Sequence, residues 1–201
     1  MTRGYLCTGI IVSALLFTGC SANRSESSSP STTPAPTSPS ISVTVKPAPT
    51  QYNQGRNHVA FDPCSGLGDD TIIRAGFDPA TRERNDFTFD TYSFIGCTFK
   101  NRDVVGSQKV TVRTLRVSSS NITLDEFRAR YQDTSSEIVI NGAQALQYTN
   151  PDGTRDACNI AVESEDGVLD IGKIVSSPFT EEQPCEGIRD IAATIASAIP
   201  K

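Results

Sequence analysis

The side chains best able to do chemistry in this chain are its six cysteines. Cys20 follows Leu16-Phe17-Thr18-Gly19. Small residues directly before a cysteine let the backbone enter a lipoprotein signal peptidase as an extended segment, and the thiol is the group that takes diacylglycerol. Upstream, Met1-Thr2-Arg3 is a short basic region, and residues 5–17 form a mostly apolar run. That run is too short to span a bilayer stably as a helix. Phe17 stands where a leucine is usual, and Leu16 sits one place early. The expectation is a lipoprotein signal peptide over residues 1–19, with Cys20 as the lipid-bearing first residue of the mature chain. Lipid chains contribute about 0.8 kcal/mol per buried methylene, so two or three of them anchor a protein stably. The expected location is the cell membrane, facing outside the cytoplasm.

Cys7 lies inside the signal peptide. Cys64, Cys97, Cys158 and Cys185 remain. Four cysteines in an exported chain imply two disulfides, because the compartment beyond the inner membrane is oxidising. Three pairings are possible. Cys64–Cys97 and Cys158–Cys185 are favoured, since each joins a helix start to a strand and each stays within one half of the chain. A zinc site is the competing use, but there is no C-x-x-C pair and no nearby histidine. No metal or cofactor is expected.

Other chemistry is thinly supplied. His58 is the only histidine, and it ends a low-complexity segment. A Ser/His/Asp triad needs that base held in fixed geometry. Neither G-x-S-x-G nor G-x-x-x-x-G-K occurs, and Gly66-x-Gly68 suits a turn before a helix better than a phosphate loop. Asp69/Asp70, Asp125/Glu126 and Glu163/Glu165/Asp166 are candidate paired carboxylates for hydrolysis. Caps and turns explain each of them more simply, and the last group lacks calcium-loop spacing. Asn23-Arg24-Ser25 and Asn121-Ile122-Thr123 match glycosylation sequons by chance. The formal net charge is −5, and removing residues 1–19 takes only Arg3 among charged side chains. An acidic surface repels phosphate backbones, so a nucleic-acid partner is not expected.

The elements that would position these residues begin late. Residues 20–58 form the lipidated cysteine and a tether, with 25–40 almost wholly Ser, Thr, Pro and Ala. Such a segment cannot offset chain entropy by burial and is expected to be disordered, stiffened by proline and open to sugar attachment. Residues 59–201 are expected to be a single disulfide-bonded α+β domain. Asp69 is a plausible N-cap for a short helix over 70–75, with Ile72 and Ile73 facing the core and Gly76 as its stop. Residues 87–99 and 108–117 alternate as strands joined by a hairpin loop over 101–107. Thr123 and Glu126 form a capping box, stapled by Ile122 and Phe127, with Leu124, Phe127 and Tyr131 on one face. Strands follow over 138–140, 143–149, 155–163 and 168–175; Asn141-Gly142 breaks the first two as a bulge or a turn, and Pro151-Asp152-Gly153 is a turn. Ile188, Ile191, Ile195 and Ile199 mark an amphipathic helix over 186–199. The predicted architecture is an antiparallel sheet of about five strands with three helices packed on it.

Taken together, Asp62-Pro63-Cys64, Ala75-Gly76-Phe77-Asp78-Pro79, Gly96-Cys97, Cys158, Pro184-Cys185 and Ile199-Pro200 resemble a family of actinobacterial lipoproteins of unknown function. The mycobacterial lipoproteins LprB and LprC are grouped with it. The resemblance spans residues 61–200. Thr98-Phe99 departs from the small residue and aromatic that the family more often shows after Gly96-Cys97. The resemblance implies an anchored, disulfide-bonded α+β domain in the cell envelope and supplies no catalytic residue.

Three functions compete. The first is a non-enzymatic module binding an envelope protein, polymer or lipid beside the membrane, including a small apolar ligand. The second is an enzyme using carboxylates alone. The third, a two-lobed transporter binding protein, is disfavoured by a domain of about 140 residues. A pocket lined by Phe87, Phe89, Tyr92 and Phe94 would point to ligand binding, although core packing is the plainer expectation for these rings.

Overall fold

Long stretches of alternating apolar and polar residues between residues 93 and 175 can hide one face each only by pairing side by side. In the computed structural model, which describes residues 39–150 and 156–199, they do so in one eight-stranded antiparallel sheet. The described residues belong to the compact unit Ser38–Lys201. Its elements are α1 (Pro63–Gly66), α2 (Asp69–Arg74), β1 (Asp78–Arg84), β2 (Phe87–Thr88), β3 (Ser93–Val105), β4 (Gln108–Ser120), α3 (Leu124–Arg130), β5 (Ser135–Ile140), β6 (Ala143–Tyr148), β7 (Ala157–Ser164), β8 (Gly167–Val175) and α4 (Ile188–Ala196). The α+β class stands, with eight strands and four helices among the described residues instead of about five and three.

The strand order is β1-β3-β4-β8-β7-β6-β5, with β2 beside β3. Two antiparallel meanders, β1–β4 and β5–β8, therefore join where β4 pairs with β8. The chain leaves β4, crosses one face of the sheet through α3, and begins the second meander at the far edge. The β3–β4 loop is tighter than expected, because pairing continues to Val105 and Gln108. Asn141 and Gly142 both have positive φ, 51° and 86°, and make the two-residue turn that joins β5 to β6.

β1 was invisible to alternation because it is polar. Its one buried side chain is Arg82, whose guanidinium lies 4.9 Å over the Phe99 ring and donates to Asp69 Oδ1 (2.7 Å) and the Cys64 carbonyl (3.0 Å). Asp69 is thus committed to Arg82, and Gly68 takes the N-cap of α2 in its place. Ile72 is buried as expected, but Ile73 points to solvent. The Thr123–Glu126 capping box forms, and Ile122 and Phe127 are both buried.

One face of the sheet carries Cys97 and Phe99 (β3), Leu115 and Val117 (β4), Leu169 and Ile171 (β8), Ile160 and Val162 (β7), and Ala145 (β6). Against them pack α1, α2 and α4, which supply Cys64, Ile72, Ile188, Ala192 and Ile195, together with Leu67 just after α1. The two disulfides stitch this layer together. Cys64 of α1 is bonded to Cys97 of β3, and Cys158 of β7 to Cys185 just before α4. This is the pairing the sequence favours.

The domain begins earlier than residue 59. Residues 39–58, expected as the end of a disordered tether, run along the folded unit and are tied to it. Ser42 donates its backbone N–H to Asp69 (2.8 Å), and Gln54 donates its own to the Asp90 carbonyl (2.7 Å). Asn53 is buried, with its side-chain oxygen accepting from Ser93 Oγ at 2.7 Å. Composition missed this because backbone and amide hydrogen bonds hold the strap alongside the partial burial of a few apolar side chains such as Val45. Residues 1–38, which include the expected signal peptide and Cys20, lie outside the described residues.

Candidate functional site

The second face of the sheet differs in kind. Strand alternation places Arg116 and Ser118 of β4, Asp170 and Gly172 of β8, Asn159 and Ala161 of β7, and Leu146 and Tyr148 of β6 on it. Among the described helices only the seven-residue α3 crosses it, burying Leu124 and Phe127 over Leu146, Tyr148, Ala161 and Val168. Beside α3 the face opens into a pocket of about 440 Å³. Its floor is Arg116, Ser118, Asp170 and Tyr148; its walls are aromatic.

Six rings run in continuous contact from mouth to floor. Phe89 meets Tyr92 at 4.7 Å between centroids, Tyr92 meets Phe94 at 6.0 Å, and Phe94 meets Phe127 at 6.4 Å. Phe127 then touches Tyr131 (5.6 Å) and Tyr148 (5.8 Å), and these two tyrosines stack at 4.1 Å. Phe87 and Phe89 are 52% and 47% exposed. Tyr92 and Phe94 pack against the buried cluster as expected, while Phe87 and Phe89 form the lip of a pocket that all four rings line. Phe87 and Phe89 thus leave an apolar patch at the pocket mouth.

The floor is a buried polar network. Asp170 accepts from the Tyr148 hydroxyl at 2.7 Å, and Arg116 Nη2 lies 3.4 Å from its other oxygen and 3.1 Å from Asn159 Oδ1. Gly172 makes this approach possible, since a Cβ there would sit 2.6 Å from Asn159 Oδ1. The side-chain nitrogen of Asn159 is buried without a hydrogen-bond partner. Burial pushes the Asp170 carboxyl above its usual range, while Arg116 and Tyr148 pull it back down. Burial also pushes the Tyr148 hydroxyl well up, so it stays a donor at neutral pH. Arg116 is held charged, chiefly by Asp170. Such a floor presents fixed acceptors and donors at low dielectric, where each hydrogen bond to a ligand counts for more than in water.

The strap braces both walls of the pocket. Gln54 and Asn53 bond to Asp90 and Ser93, which lie within the aromatic hairpin. Two residues on, Asn121 donates to the Asn57 carbonyl (2.8 Å), and Arg56 donates to the Asn121 carbonyl (2.9 Å) and to Glu126 at the start of α3. Arg56 and the Thr123 backbone hold the Glu126 carboxyl down to about 2.

The other sequence candidates are placed elsewhere. His58 is exposed on the strap, away from the pocket lining. Asp70 pairs with Arg74, and Asp125 pairs with Arg128. Asp166 accepts from the backbone of Ala60 (2.8 Å) and Phe61 (2.9 Å) and from Ser119 Oγ (2.8 Å), so it fastens the strap's end to the sheet. Glu163, Glu165 and Asp166 do rim a second, larger cleft of about 690 Å³ on the helical face, walled by Phe61, Ile140, Val162, Leu169 and Ile199. Among the described residues no group of three or more His, Cys, Asp or Glu side chains is placed to hold a metal. No described helix is long and apolar enough to cross a membrane.

Asp170, Arg116 and Asn159 were not singled out by sequence. A signal did exist: each is a polar residue at an inward position of a strand whose neighbours are apolar, as in Val168-Leu169-Asp170-Ile171.

No curated protein matches the chain, and no solved structure does. The model of a family described as a protein of unknown function (DUF3558) matches residues 15–197. With that match covering nearly the whole sequence, the chain belongs to the DUF3558 family.

Proposed function

We propose that this protein is a lipid-anchored envelope lipoprotein whose folded domain is a non-enzymatic binding module, with the aromatic pocket over Asp170 as its ligand site. The observation that carries the reading is the contrast inside that pocket: half-exposed Phe87 and Phe89 at the mouth, and a buried Asp170–Arg116–Asn159 network at the floor. Leaving polar groups and rings in that state has a stability cost, and ligand contact offsets it. Anchoring on Cys20 is supported by the signal-like residues 1–19 and by two disulfides suited to an oxidising compartment. Within the family we place the chain with the LprB/LprC-like actinobacterial lipoproteins, on its Asp62-Pro63-Cys64 and Pro184-Cys185 motifs.

A second reading, a small apolar or envelope-lipid ligand, is favoured by the cleft beneath α4, whose walls are mainly Phe61, Ile140, Val162, Leu169 and Ile199. One experiment separates them: native and denaturing mass spectrometry of the unreduced protein extracted from its host membrane. The expected result is a mature chain starting at diacylated Cys20, disulfide-linked peptides, and a retained non-covalent mass lost in Phe89→Ala. A retained mass of lipid type, unaffected by Phe89→Ala, moves the site to the cleft. Unmodified Cys20 overturns the anchored reading.

A further inference from the structure

We propose that the aromatic pocket takes an uncharged sugar ring, the end or a short segment of a neutral glycan. This deepens the binding-module reading and rests on it. The pocket's chemistry narrows the ligand by elimination. Arg116 and Arg130 both line it, so a cationic ligand meets two like charges. An anion meets the Asp170 carboxylate on the floor, finds Arg116 already engaged by Asp170 and Asn159, and is left only the exposed, solvent-screened Arg130. A wholly apolar ligand would cover Asp170 and Arg116 without giving either a hydrogen bond, which is the costly way to bury polar groups.

An uncharged ligand with adjacent hydroxyls satisfies all three constraints. Each hydroxyl both donates and accepts, so one pair can donate to the Asp170 carboxylate and accept from the Arg116 guanidinium. Ser118 on the same floor can do either. A pyranose ring also presents flat patches of C–H bonds. The rings of Phe89, Tyr92 and Phe94 supply matching flat apolar surfaces beside the polar floor. A volume of about 440 Å³ suits one or two sugar rings, and the exposed Phe87 and Phe89 lie where a longer chain would leave the pocket.

The test uses the full-length lipoprotein in a detergent without a sugar head group, applied to an array of neutral oligosaccharides and of uronate- or phosphate-bearing ones. A solution titration follows through tyrosine emission. The chain has no tryptophan, and Tyr92, Tyr131 and Tyr148 line the pocket, so this signal reports on the site. The expected result is saturable binding of at least one neutral oligosaccharide, weakened about tenfold in Phe89→Ala and in the near-isosteric Asp170→Asn. Both variants should keep the wild-type circular dichroism spectrum. The proposal is overturned by no neutral glycan binding, by acidic glycans binding better, or by neutral binding that neither substitution weakens. If the membrane-derived mass is still lost in Phe89→Ala while no neutral glycan binds, the sugar assignment falls and the pocket reading stands.

Discussion

On one face of the sheet, Phe99, Leu115, Ile160 and Ile171 meet three helices, and disulfides at Cys64–Cys97 and Cys158–Cys185 hold that layer down. On the other face of the same strands, one residue along, Arg116, Asn159 and Asp170 lie under one short helix and a fan of aromatic rings. Each strand therefore serves two purposes with a period of two. The closed face stores the stability. With that in place, the other face can keep a charged floor and exposed rings that a core would not tolerate. What the pair teaches is a division of labour: substitutions on the helical face should read out as folding, and substitutions at the open mouth of the aromatic face, Phe87 and Phe89, as binding.

The sharpest break between the faces is expected at Phe99, which is fully buried. Phe99→Ala should lower unfolding free energy by about 3–5 kcal/mol in urea titration. It also strips Arg82 of the ring it lies over. Next comes the staple at α4. Cys158→Ala with Cys185→Ala opens a loop with a sequence separation of 27. The chain-entropy estimate is then a loss of about 3.5 kcal/mol, measurable as a lower thermal midpoint under non-reducing conditions.

Acid titration sharpens the contrast within the aromatic face. Glu126 titrates at about 2 in the fold against an ordinary 4.5, held there by Arg56 and Thr123. Its contribution is complete above pH 4.5 and drains away as pH falls towards 2. Asp170 is shifted the other way, upward from 3.8, by burial. Its ionisation therefore weighs against the fold increasingly as pH rises from 3.8. Relative to Glu126→Gln, the wild type should gain stability on going from pH 2 to pH 5. Relative to Asp170→Asn, it should lose stability over the rise from pH 3.8. Chemical denaturation at stepped pH checks both slopes.

Much of the closed face could be read directly from sequence, because it obeys periodic rules. The apolar positions of α4 and the alternation of β4 and β8 follow from spacing, as does the capping box at Thr123 on the other face. The strap and β1 could not be read that way. Their residues are placed by partners distant in sequence, Arg82 by Phe99 and Asn53 by Ser93, and no local pattern encodes such a contact. The pocket fell between these cases. Its aromatics were conspicuous as residues, but whether Phe87 and Phe89 fill a core or line an opening depends on how much of the sheet α3 covers. A seven-residue helix leaves part of that face bare.

The central claim is that the rings at the pocket mouth serve a ligand and not the core, and the unfolding free energy of the double variant Phe87→Ala/Phe89→Ala tests it without knowledge of the ligand. Half-exposed rings make few core contacts, so the account predicts a change within about 1 kcal/mol of wild type. A loss of about 3 kcal/mol or more, the size expected for buried aromatics, would mean that the rings are part of the core and that the aromatic face is not a ligand site.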